Sequence, residues 1–283
     1  MAAGIATGAG NLSREGRLPA RARRFWRSAP SAFRIGAIIL TVHILLALLG
    51  WVGGLIMSIA WQVVPMFYLS QPASAISKRI SLAALVAGLV LPFAAFMAVD
   101  SGDGFLSATQ WAAVASTPAA VAVWLGQPLL TLKSIAQRKR RRSDASLFFW
   151  RAGLISALLL IPLATVALLA ADPRWQILFG WFAIWGWAGM IMHGMLTRIV
   201  PFLVWFHRIA PLLGKTHVPS IRGLLSQRRI SLGFAIHLAS IAMGAAAIVT
   251  QADVLAHLTG ILLAATGASL GSSLYHVLWK SWR

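Results

Sequence analysis

The sequence predicts an all-α, polytopic integral membrane protein of about eight transmembrane helices, and three observations predict it. Of 283 residues 59% are hydrophobic and only 11% charged, which lies outside the soluble range. The mean hydropathy is +0.77. Apolar runs of roughly the 20 residues that cross a bilayer recur along the chain, and basic residues concentrate in alternate loops between them.

In chain order, the spans are expected at 35–50, 51–70, 80–99, 107–132, 147–171, 176–205, 230–250 and 255–279. The first two have no charged residue between them, and the cluster Gly50, Gly53, Gly54 is read as the turn that separates them. Arg14 to Arg34 precede the first span, Lys78 and Arg79 follow the second, and Lys133 with Arg138 to Arg142 follow the fourth. Arg208, Lys215, Arg222, Arg228 and Arg229 follow the sixth, and Lys280 and Arg283 end the chain. With eight spans all of these fall on one side. Asp100, Asp103, Asp172 and Asp253 mark the other, so the positive-inside rule places both termini in the cytoplasm of a bacterial inner membrane. The formal charge of +19 is thus a record of topology, and it argues against a nucleic-acid partner. Trp51, Trp61, Trp175, Trp181 and Trp279 fall near span ends and read as interfacial anchors.

Sliding the chain by 136 residues lays Gly50–Phe67 on Gly186–Leu203, and Gly50, Trp51, Gly53, Val64 and Pro65 recur as Gly186, Trp187, Gly189, Val200 and Pro201. This predicts duplication of a four-helix unit. The organisation that follows is a basic, disordered cytoplasmic N-terminus over 1–31, a first repeat over 32–132, a basic linker over 133–146 and a second repeat over 147–283. The repeat breaks where Met57 aligns with His193 and Gln62 with Arg198.

Chemistry, where there is any, is imidazole chemistry. His43, His193, His237, His257 and His276 lie within apolar segments and no carboxylate does. Intramembrane ionisable groups are costly and mark function by default. With no cysteine, a metal must use nitrogen, oxygen or Met sulfur. Each ring except His276 rises from a strip of little bulk: His43 among Gly36, Ala47 and Gly50; His193 after Gly186 and Gly189; His237 among Gly233, Ser240 and Gly244; His257 beside Gly260, Ala264 and Ala268. Such strips suit a flat macrocycle and suit close helix packing equally. Depth within the spans pairs His43 with His193 as axial ligands, then His237 with His276, while His207 and His217 fall in a solvated loop. Arg198 either snorkels to the nearby helix end or meets an anionic group such as a haem propionate.

The stretches TRIVPFLVWFHR, Thr197–Arg208, and QVVPMF, Gln62–Phe67, resemble bacterial membrane proteins of the haem-copper oxidase subunit I and NnrS-like families. The resemblance implies haem b ligated by His43, His193 or His237, with copper as an additional metal and a role in nitric-oxide or respiratory physiology: sensing, buffering, or electron transfer with a redox protein or quinone. The chain departs from the pattern in having neither an adjacent His-His pair nor a His-x-x-x-Tyr arrangement, which argues against oxygen reduction. A permease or channel for a small or anionic solute, opened around Pro65 and Pro201, is the rival expectation.

Overall fold

The computed structural model describes residues 36, 39–40, 42–98, 111–139, 144–215, 218 and 220–280. The disordered segment expected over 1–31 and His217 lie outside them. Among the described residues there is no strand, and seven helices are long and apolar enough to cross a membrane. They are α1 (Val42–Tyr68), α2 (Ala75–Ala98), α3 (Thr117–Ala136), α4 (Ser146–Leu169), α5 (Arg174–Leu212), α6 (Gln227–Thr250) and α7 (Asp253–Lys280).

The break expected at Gly50–Gly54 is absent. The described parts of the two expected spans, Val42–Tyr68, form one continuous helix, because Leu46–Gly53 is wound as a π-helix that runs directly into the α-helical Gly54–Tyr68. The glycines there serve contact instead of a turn. A Cβ on Gly53 would lie 2.7 Å from Val123 of α3, and one on Gly50 would lie 3.2 Å from Leu89 of α2. An odd number of crossings puts the start of α1 and the end of α7 on opposite faces, so the even count behind the cytoplasmic placement of both termini does not hold among the described helices.

The backbone carries the repeat in the same register as the residues. Phe182–Gly189 of α5 is also a π-helix and passes into α-helical Met190–Val204, so both boundaries sit 136 residues from their counterparts in α1. Pro65 and Pro201 occupy the same place in the two helices. Each lacks the backbone N–H that would bond the carbonyl one turn earlier. The first unit, however, shows three described helices and the second four.

Two apolar cores hold the helices together. One gathers Met57, Trp124, Trp150, Leu154 and Trp187 from α1, α3, α4 and α5; the other gathers Phe149, Met190, Ile230, Ile241 and Val277 from α4 to α7. In lipid, helix contact depends on close packing and not on escape from water. Small residues therefore stand at the crossings: a Cβ on Gly153 or Gly194 of α4 and α5 would lie 2.6 Å from Ile191 or 2.5 Å from Phe149. Trp181 packs its ring against Gly244, and its indole N–H donates to the Ile241 carbonyl at 3.1 Å. At the loop before α5, hydrogen bonds from Arg174 hold the Asp172 carboxyl below the usual carboxylate range.

Gly88 of α2 is the tightest crossing against main chain, with a Cβ there 2.3 Å from the Ala119 backbone nitrogen. We predict that Gly88→Ala lowers thermal stability in detergent. Overpacking of about 1–3 kcal/mol outweighs the helix-propensity gain of at most about 1 kcal/mol; an unchanged or higher melting temperature would show that α2 and α3 are spaced more widely.

Candidate functional site

α5 and α6 each bring one histidine to the same level. His193 lies near the middle of α5 and His237 near the middle of α6, with 4% and 1% of their surfaces exposed. Their Nδ1 atoms are 3.1 Å apart. Phe149 of α4 lies 4.4 Å from the His193 ring, and Trp185 stacks on His237 at 4.4 Å between ring centroids.

The surrounding hydrogen bonds fix which nitrogen carries which proton. The Trp185 carbonyl, in the π-helical stretch of α5, can only accept, so His237 donates to it from Nε2 at 3.3 Å. In the neutral ring this leaves His237 Nδ1 as an acceptor, so the proton between the two rings belongs to His193 Nδ1. Two protonated Nδ1 atoms cannot share a 3.1 Å contact, which excludes two imidazolium ions in this geometry. Ser240 locks the base of the arrangement: it accepts from the Trp185 indole N–H at 2.8 Å and donates to the His237 carbonyl at 2.6 Å.

Three of the four ring nitrogens are thereby engaged, and His193 Nε2 keeps a lone pair. That atom faces the bare side of Gly233, where a Cβ would lie 3.3 Å from it and 3.2 Å from Ser269 Oγ of α7. Gly233 was singled out in sequence as part of the low-bulk strip below His237; in space it makes room for the histidine of the neighbouring helix.

The other histidines stand apart. His43 is exposed on α1 and does not meet His193, so the pairing by depth is replaced by His193 with His237. Position along a helix sets a level but not a direction around the bundle. The pairing of His237 with His276 is likewise not formed through His237, whose two ring nitrogens are engaged by His193 and Trp185. His276 is half-buried on α7. His257 is exposed, with Nδ1 bonded to the Asp253 carbonyl at 2.7 Å, and His207 is exposed at the end of α5.

Arg198 neither snorkels nor waits for an external anion. Its guanidinium meets the Asp144 carboxylate at 2.9 Å and lies over the rings of Phe67 and Tyr68. Asp144 is 6% exposed and accepts at its other oxygen from Ser146 N and Oγ, while Tyr68 OH donates to Ser146 Oγ at 2.8 Å. The linker carboxylate, assigned to no role in the sequence, thus enters the bundle and ties α1, α4 and α5 at one end. Its place immediately before the first turn of an apolar helix was the available signal.

At the 136-residue offset that relates α1 to α5, buried Met57 stands where His193 does. The first copy therefore has an apolar core residue at the position of this imidazole. Comparison with protein-family models, curated proteins and solved structures finds no match to this chain.

Proposed function

We propose that this chain is a haem-binding protein of the bacterial inner membrane in which His193 is the one protein ligand to a b-type haem iron and His237 is the partner that orients it. The observation that carries the reading is the single unengaged lone pair on a buried, hydrogen-bonded imidazole. Metal-ligating histidines donate their other ring N–H to a fixed acceptor, and His193 does so toward His237, which Trp185 and Ser240 hold in place. Among the described residues no group of three or more His, Asp or Glu could hold a bare ion. Haem supplies four nitrogens of its own and needs one more from the protein. Copper, which would need two or three protein donors, is less well served.

The donor set offers one axial nitrogen and does not fit axial ligation by both, and iron at His193 Nε2 would require α6 to draw back at Gly233, whose Cβ position lies 3.3 Å from that nitrogen. Two axial nitrogens on one iron stand about 4 Å apart, each about 2 Å from the metal, and the pair here closes on itself at 3.1 Å with His237 Nε2 spent on Trp185. A single ligand leaves one iron position without a protein side chain. Of the roles that the family resemblance implies, we therefore assign sensing or buffering of a diatomic gas in respiratory or nitric-oxide physiology. For the solute-permease alternative, opened around Pro65 and Pro201, Arg198 offers an anion no free charge, since Asp144 already pairs with it.

Protein purified in mild detergent from cells supplied with haem precursor should show a Soret band that shifts when carbon monoxide is added to the reduced sample. His237→Ala should keep the haem but weaken its affinity by roughly 10- to 100-fold, the usual effect of removing an orienting partner. A colourless preparation that remains folded would overturn the proposal.

A further inference from the structure

The second feature with chemical content is a cavity of about 370 Å³ between α1, α3, α4 and α5. It lies toward the starts of α3 and α5 and the end of α4, the helix ends away from Lys78, Arg79 and Lys133. Its walls are mostly apolar, and Val121 and Leu168 on its rim are exposed on the outside of the bundle. Its apolar walls and these exposed rim residues suit a molecule that arrives from the bilayer.

Three hydroxyls line the cavity, and each has already used its proton on its own helix. Ser116 donates to the Ala113 carbonyl at 2.7 Å, Thr117 to Val114 at 2.6 Å and Thr165 to Ile161 at 3.0 Å. What they offer an occupant is oxygen lone pairs. The indole N–H of Trp124 is buried without a hydrogen-bond partner. Trp124 and Phe179 meet edge to face there at 5.5 Å, a surface onto which another ring packs favourably. Gln176 stands exposed at the mouth.

We infer that this cavity binds a lipid-soluble molecule with a phenolic head, which packs its ring on Trp124 and Phe179 and donates its single hydroxyl proton to one of the Ser116, Thr117 and Thr165 oxygens. Neither haem nor His193 takes part, so the inference stands apart from the function proposed above.

The test is titration of the protein in nanodiscs with 4-octylphenol, its methyl ether and 1-dodecanol, followed by tryptophan fluorescence. The phenol should bind at least ten-fold more tightly than the ether, which has lost the donor, and more tightly than the alcohol, which has lost the ring. Ala164→Phe, which fills the cavity, should abolish binding. Thr117→Val and Thr165→Val combined with Ser116→Ala, which remove all three acceptors, should erase the preference for phenol over ether, and His193→Ala should change nothing. Equal affinity for phenol and ether, phenol binding that survives Ala164→Phe, or a cavity held by a phospholipid chain that phenol does not displace would each overturn the inference.

Discussion

Replacing His193 with alanine should remove bound haem, with at least a hundred-fold loss of affinity, while His43→Ala, His257→Ala and His276→Ala leave the Soret band in place. The asymmetry follows from geometry. His43 and His257 are exposed, and among the described histidines His193 is the one whose Nε2 is unengaged inside a shell that fixes the ring's orientation. A buried imidazole removed from lipid-depth core leaves a small void, so folding must be read alongside haem content; His193→Leu, which fills most of the volume and offers iron no donor atom, is the variant that keeps apolar packing. If His193→Leu retains fold and loses haem, the ligand has been identified. If it retains both fold and an unaltered spectrum, iron is held elsewhere.

The largest loss of stability should come from Asp144→Asn. Removing one partner of a buried ion pair leaves the other charge uncompensated and costs about 3–5 kcal/mol. The lower end applies here, because the Arg198 side chain keeps 19% of its exposure and ring faces of Phe67 and Tyr68 remain over it. Arg198 has little alternative: its Nε is already buried without a partner. The double change Asp144→Asn with Arg198→Met should be less destabilising than Asp144→Asn alone, which is the signature of coupling in a mutant cycle. Additive losses in detergent melts would mean that the two groups act independently.

The fold was legible in the sequence because lipid imposes a simple requirement: a crossing segment must be long, apolar and helical. The repeat was legible too, since Gly50, Trp51 and Pro65 mark the same backbone features as Gly186, Trp187 and Pro201. The misreading at Gly50–Gly54 has a physical source. Glycine permits a turn and equally permits close approach, and nothing in a single sequence says which neighbour will come near. The site was half legible. Intramembrane His193 and His237, and the bare strip at Gly233, were identifiable from the residue types alone. Their union was not, because it depends on how α5 and α6 are rotated against each other, and the shell of Trp185, Ser240 and Phe149 depends on it in turn. Asp144 escaped notice because a lone carboxylate beside a basic run looks like a solvated linker until Arg198 is placed opposite it.

The electron paramagnetic resonance spectrum of the ferric protein bears most directly on whether one histidine or two hold the iron. A high-spin signal that persists in His237→Ala and vanishes in His193→Ala is the expected result. A low-spin, bis-imidazole signal that is lost when either residue is replaced would contradict the account, because it would require His237 to abandon Trp185 and both rings to turn toward the metal.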